Sequence, residues 1–164
     1  MEAIRGTWSI GGIALGPIRI CPRMGRTDTA GPTLSPEEEL NRFEAARRGA
    51  IDQLEDLYGR ALDQTGMEAA AIFRIHQMLL EDPDYQEAVH TSIRRGEGAC
   101  RAVQRAGARF TALFSAMEDE YMQARADDMR DITHRVADLL TGVREEDLLG
   151  GEPSILAAEE LSPS

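Results

Sequence analysis

The chain has 164 residues and a formal net charge of −11, enough length for one domain with a buried core, or for one domain and a fraction of another. Acidity of this size excludes a nucleic-acid surface, which must be basic, and suits a soluble protein or one that receives a basic partner. Aromatic residues are only 5% of the chain while Ala, Leu, Met, Glu and Arg abound, a composition that favours helices. No apolar run approaches about 18 residues, so no membrane-spanning helix is expected. No charged-then-apolar signal opens the chain, which points to the cytoplasm. Cys21 and Cys100 stand far apart with no metal-ligand or redox spacing, and unpaired thiols are expected.

In chain order, residues 1–20 are rich in glycine and β-branched residues and read as one or two short strands with a break at Gly11-Gly12. Residues 22–34, with Pro22, Gly25, Thr27, Thr29, Gly31 and Pro32, have the composition of a linker. Ser35-Pro36-Glu37-Glu38 starts a helix, with Ser35 as N-cap, proline at the first helical position and Glu38 closing a capping box. Glu37, Glu38 and Glu39 are then an acid cluster favoured by the helix dipole. Leu40, Phe43, Ala50, Leu54, Leu57 and Ala61 recur at helical spacing and carry this helix to about Gly66. A second helix is expected from Met67 to Glu81. Asp82-Pro83 ends it and starts a third, which runs to about Arg95.

A fourth, long helix is expected over 99–124, with Val103, Ala106, Phe110, Leu113, Phe114, Met117 and Tyr121 on one core stripe. A fifth starts near Asp127, uses Met129, Ile132, Val136, Leu139 and Leu140, and stops at Gly142. Short connections between amphipathic helices imply antiparallel neighbours. The predicted fold is mainly α: an antiparallel bundle of four to five helices with partial strands of an α/β domain at both ends.

The second helix carries the strongest functional signal. At about 100° per residue, Ile72, Phe73, His76 and Leu80 share one side. Met67, Ala71, Arg74 and Met78 share the other, with Ile75 and Leu79 between. One core hides one face of such a helix. The methionine face is therefore covered by a further helix or offered to a partner, and thioether side chains repack readily against partners. His76 is expected to be a structural core histidine. His90 and His134 lack a second ligand at metal spacing and are expected on the surface. Glu118, Asp119, Glu120, Asp127 and Asp128 have no Glu-x-x-His companion and read as solvated acidic turns, so no metal site is assigned.

Two segments, Ala71-Ile-Phe-Arg-Ile-His-Gln-Met-Leu-Leu-Glu-Asp-Pro83 and Asp119-Glu-Tyr-Met-Gln-Ala-Arg-Ala-Asp-Asp-Met-Arg-Asp-Ile132, resemble enzyme I of the bacterial sugar phosphotransferase system, the phosphoenolpyruvate–protein phosphotransferase. Ser9-Ile-Gly-Gly-Ile-Ala-Leu-Gly-Pro17 is similar to that family's N-terminal strand, and Ile155-Leu-Ala-Ala-Glu-Glu-Leu-Ser-Pro163 to the strand that enters its phosphohistidine domain. The resemblance implies strands over 1–22, a linker over 23–34, a helical carrier-binding subdomain over 35–143 and a truncated return into the α/β subdomain over 144–164. It implies docking of the histidine-containing phosphocarrier protein on Glu68, Ala71, Arg74, Met78, Leu79, Asp82, Asp84 and Tyr85, and on Phe114, Met117, Met122 and Arg125 of the partner helix. Arg74 stands where the family is often acidic, and Tyr85 and Phe114 where aliphatic residues are common.

The resemblance further implies that the chain is a cut piece, breaking off at Ser162-Pro163-Ser164 before the phosphohistidine segment (Gly-Gly-x-x-Ser-His type) and the magnesium-binding barrel for phosphoenolpyruvate. On that reading the chain holds no catalytic residue and no cofactor, and is inactive alone. Magnesium belongs to the missing C-terminal domain, and the full-length parent is a homodimer. The alternatives are a nitrogen-linked or kinase-associated enzyme I paralogue with a different carrier, or a non-enzymatic helical module whose methionine face makes a homodimer.

Overall fold

The computed structural model describes residues 15–20, 34–142 and 155–157, which fall into two compact units. In the first, β1 (Ile18–Ile20) and β2 (Ile155–Ala157) pair in parallel, Ile18 opposite Ile155 and Ile20 opposite Ala157. Ile155 N–H donates to the Pro17 carbonyl at 2.8 Å. Parallel strands need a crossover connection, and here the sequence between them carries the whole helical unit. The strand expected from Ser9, most of the 23–34 linker and Cys21 lie outside the described residues.

The second unit holds five helices: α1 (Pro36–Thr65), α2 (Met67–Glu81), α3 (Pro83–Arg94), α4 (Ala99–Ser115) and α5 (Glu120–Thr141). Ser35 starts α1 as predicted. Its hydroxyl accepts from Glu38 N–H at 3.3 Å, while Glu38 Oε2 accepts from Ser35 N–H at 2.8 Å. One residue separates α1 from α2 and another separates α2 from α3. Gly66 takes φ +88°, which favours glycine. Asp82 accepts from Asp84 N–H at 2.8 Å and from Tyr85 N–H at 3.0 Å, with Pro83 at the first helical position. Gly142 closes α5 in the left-handed conformation.

Phe43, Leu54, Leu80, Tyr85, Val89, Ile93, Val103, Met129, Ile132 and Val136 are buried to within 1% in one core fed by all five helices. Small residues let α4 sit close to its neighbours: Ala99, Ala102, Ala106 and Gly107 are all buried. Gly107 marks the closest approach. A Cβ there would lie 2.1 Å from Thr133 Oγ1 and 2.7 Å from its Cγ2, so α5 occupies the space a side chain would need.

Two expectations are corrected. The fourth helix does not run to residue 124 but ends at Ser115, and the fifth begins at Glu120 rather than near Asp127. Asp119 causes the restart, accepting from Met122 N–H at 3.0 Å as an N-cap. The proposed stripe therefore ends early: Phe110 is buried, but Leu113 is half exposed and Tyr121 more so. Glu39 also does more than complement a dipole. It is buried, and its Oε2 accepts from Ala99 N–H at 2.9 Å, so the first turn of α1 caps α4, whose own N-cap Gly98 has no side chain to offer.

Gly107→Ala is expected to destabilise the helical unit by about 1–3 kcal/mol through overpacking against Thr133. Gly59→Ala, in α1 with nothing within 4 Å of its added Cβ, should stabilise it by about 0.5–1 kcal/mol through helix propensity. Urea unfolding of the two variants checks both signs. The capping box predicts a pH dependence: the hydrogen bonds from the Ser35 backbone and hydroxyl hold the Glu38 carboxyl below its ordinary value of 4.5. A depressed folded value means that this stabilisation is present above the ordinary value and is lost as pH falls through the folded one. The melting temperature of Glu38→Gln should therefore converge on that of the wild type as pH drops below about 4.5.

Candidate functional site

Helix α2 has two faces, as its periodicity predicts. Ala70, Phe73, His76, Gln77 and Leu80 are buried, and Ile72 and Leu79 pack partly against the core. On the other side Met67 is 73% and Met78 68% exposed, with Glu68, Ala71 and Arg74 also in the open. No described helix covers this strip. Leaving two methionines in water forgoes roughly 1.5–3 kcal/mol of burial for each.

Three polar residues of this helix, Arg74, His76 and Gln77, have partners within the unit. Arg74 donates to Glu55 of α1, with one contact at 2.9 Å, and to Gln77 at 2.9 Å, while its guanidinium lies 4.1 Å from the Tyr58 ring centre. Hydrogen bonds from Gln77 and Arg74 hold the Glu55 carboxyl below its usual value, and the same pairing with Glu55 raises Arg74. The positive charge that departs from the family pattern is thus answered locally by Glu55.

His76 is fully buried, and its Nε2 lies 3.3 Å from Asp128 Oδ1 on α5. A carboxylate only accepts, so Nε2 carries the hydrogen. The other oxygen of Asp128 pairs with Arg125, whose guanidinium lies 4.3 Å from the ring centre of Tyr121, an aromatic left 64% exposed. A core contact of α2 is thereby joined to the first turns of α5.

Of the residues expected to dock a partner, Glu68, Ala71, Arg74, Met78 and Asp84 are exposed, and Leu79, Asp82, Phe114, Met117, Met122 and Arg125 are partly buried. Tyr85 is a correction. It is wholly buried, with its ring 5.9 Å from Phe110 in an edge-on contact, and burial pushes its phenol above the ordinary value. It supports the core beneath Phe110 and Phe114, whose ring centres are 6.4 Å apart, and offers no side chain to a partner.

Asp128 is a second correction: it is 8% exposed, not a solvated turn residue. Periodicity alone hides it, because it does not register the helix start that Asp119 caps. With Asp119 as N-cap, Arg125 and Asp128 fall at i and i+3 on one helix face, spacing that brings such side chains together. His90 is a third. It is half-buried, 3.0 Å from Glu44 Oε1 and edge-on to Phe43 at 5.5 Å. Burial raises the Glu44 carboxyl, yet hydrogen bonds from Arg47 and His90 outweigh it and leave the group lowered. His134 is exposed, as expected. Among the described residues no group of three or more His, Cys, Asp or Glu side chains gathers as a metal site would require, and no helix is long and apolar enough to cross a membrane.

Comparison with known proteins places this geometry in a family. Residues 5–125 match the family described as "PEP-utilising enzyme, N-terminal". The chain is 31% identical over 166 residues to the phosphoenolpyruvate-protein phosphotransferase of Bacillus subtilis (strain 168), covering 100% of this chain and 29% of that protein. It is 37% identical over 130 residues to the protein of that name from Bacillus sp. (strain S), covering 78% of this chain and 22% of the relative. The Haloferax volcanii protein is 39% identical over 124 residues, covering 75% and 22%. The chain thus spans less than a third of the length of these relatives. Among solved structures, an enzyme I solution structure superposes with a TM-score of 0.71 at 30% identity, covering 93% of this chain and 63% of that one. The "N-terminal domain of Enzyme 1 - Nitrogen" superposes with a TM-score of 0.75 at 26% identity, covering 92% and 63%.

The division of α2 into two faces predicts opposite outcomes for charges placed two residues apart. Met78→Asp should leave stability within about 0.5 kcal/mol, as surface substitutions do. Leu80→Asp should unfold the helical unit by burying an unpaired charge. Thermal melts followed by circular dichroism decide the point, and equal destabilisation by the two would show the methionine face to be core.

Proposed function

The chain belongs to the PEP-utilising enzyme family, in its N-terminal part, and on that premise we propose that its helical unit docks a histidine-containing phosphocarrier protein in a phosphoryl relay serving sugar uptake. The observation that carries this reading is the exposed apolar strip Met67, Ala71 and Met78 on a helix whose opposite face is fully engaged in the core. The relatives are named as phosphotransferases that act on a protein, and an acceptor protein has to be recognised by a surface. Aliphatic and thioether contacts at the centre with carboxylates around them, here Glu68, Glu81 and Asp84, are the pattern of an apolar core with a polar rim. The net charge of −11 supports a basic carrier that arrives faster at low salt.

The role proposed for this chain is docking, not transfer. His76 is sealed in the core and His90 is tied to Glu44, while the exposed His134 lies on α5 with no cluster of three or more His, Cys, Asp or Glu side chains among the described residues to hold a metal-bound donor. A second reading, a nitrogen-linked pathway with its own carrier, is favoured by the TM-score of 0.75 to the nitrogen-type domain. The two share the surface and differ in the partner that fits it.

Calorimetric titration with carriers of both pathways tests the proposal. One carrier should bind, more tightly at low ionic strength, and Met78→Asp should weaken it at least about tenfold, or about 1.4 kcal/mol. Unchanged affinity in a folded Met78→Asp chain contradicts docking at this face. Concentration-dependent sedimentation that Met78→Asp abolishes would instead assign the face to a homodimer.

A further inference from the structure

We propose that His76, Asp128 and Tyr121 are positioning residues that lock the Arg125 guanidinium in one orientation at the rim of the docking surface. The inference rests on the docking reading. Arg125 has a long, rotamer-rich side chain, and ordering such a side chain only on binding costs conformational entropy. Here it is ordered beforehand by two direct contacts, one of them backed by His76. Asp128 holds it through one carboxylate oxygen while the other oxygen faces His76 Nε2 at 3.3 Å. Tyr121 lies over the guanidinium, 4.3 Å from its ring centre.

The anchor cannot shift easily. His76 is 0% exposed on the core face of α2, and only 11% of the Asp128 side chain is accessible. Moving the carboxylate away from His76 would strand a buried polar group, and His76 Nδ1 already has no partner. Arg125 retains 12% of its side-chain exposure, and a locked planar donor set of this kind suits recognition of an oxygen acceptor at fixed geometry. The arrangement ties the register of α2 against α5 to the aim of a single rim residue.

The test uses the full 164-residue chain and the unphosphorylated phosphocarrier protein. In the free wild-type chain, NMR should show a slowly exchanging Arg125 Nε–H, which is buried without a hydrogen-bond partner of its own, with guanidinium rotation hindered by the contact to Asp128, whereas that of the exposed Arg60 averages. An Arg125 signal that averages in the same way overturns the proposal. Asp128→Asn and Arg125→Ala should each weaken carrier binding about tenfold, and the double variant about tenfold rather than a hundredfold, because the two act as one unit. Additive losses, or unchanged binding in a folded Asp128→Asn chain, overturn it.

If Asp128→Asn does not fold, Tyr121→Leu at the surface replaces it. The Arg125 Nε–H should then exchange faster and carrier affinity should fall, whereas no change in either contradicts the lock. Loss of binding in Met78→Asp with none in Asp128→Asn removes this inference and leaves docking standing. Unchanged binding in Met78→Asp with a locked Arg125 removes docking instead.

Discussion

The pairing of His76 with Asp128 decides which side of α2 faces inward. An imidazole and a carboxylate are both costly to bury alone, by roughly 1–3 kcal/mol or more when a hydrogen bond is left unmade, and each is the other's partner across the α2–α5 contact. Rotating α2 to bury Met78 would expose Phe73 and Leu80 and separate this pair. Apolar burial alone would tolerate a range of rotations, since methionine and leucine are similar in volume and interchange cheaply in cores. The buried polar contact has only one solution, and it leaves the methionine strip outside.

The same logic orders the charges. Three arginines near the surface are answered by neighbouring carboxylates: Arg74 by Glu55, Arg125 by Asp128 and Arg130 by Asp127. The Arg74 and Arg130 pairs are exposed and add little stability, whereas the Arg125 pair is largely buried; all three neutralise positive charge on and around α2 and α5 and leave the acidic excess of the chain to act at longer range. Electrostatics of that type governs encounter rate more than affinity. In the proposed docking, affinity depends on the few apolar groups that lose water, here the methionines. The groove between α3 and α4 mixes charged residues such as Arg95, Arg105, Arg109, Asp84 and Glu87 with Phe110 and the half-exposed Leu113.

Local signals were readable from the sequence where a single element settles the outcome. Ser35-Pro36-Glu37-Glu38, Asp82-Pro83 and Gly142 each set a helix end through their own side chain or backbone, and the two faces of α2 follow from spacing. Long-range partners were not readable. Glu39 looks like any first-turn acid, and only the fold brings it to Ala99 N–H across 60 residues. Tyr85 sits in the first turn of α3, a position read as part of the docking surface, but the approach of Phe110 covers it. The break at 116–119 was hidden because Leu113, Phe114, Met117 and Tyr121 continue a helical period through it, and periodicity alone does not register a cap at Asp119. That one missed cap also hid Asp128, and with it the link from the core to the rim.

The central claim is that the uncovered face of α2, together with the start of α5, receives the carrier. The most direct measurement is NMR mapping of the isotope-labelled chain as unlabelled carrier is added. Shifts concentrated on Met67, Glu68, Ala71, Met78 and Leu79 and on Met117, Met122 and Arg125, with Phe73, His76 and Leu80 little changed, are the predicted result. Shifts concentrated instead on the α3–α4 groove, or none at millimolar carrier, would contradict it.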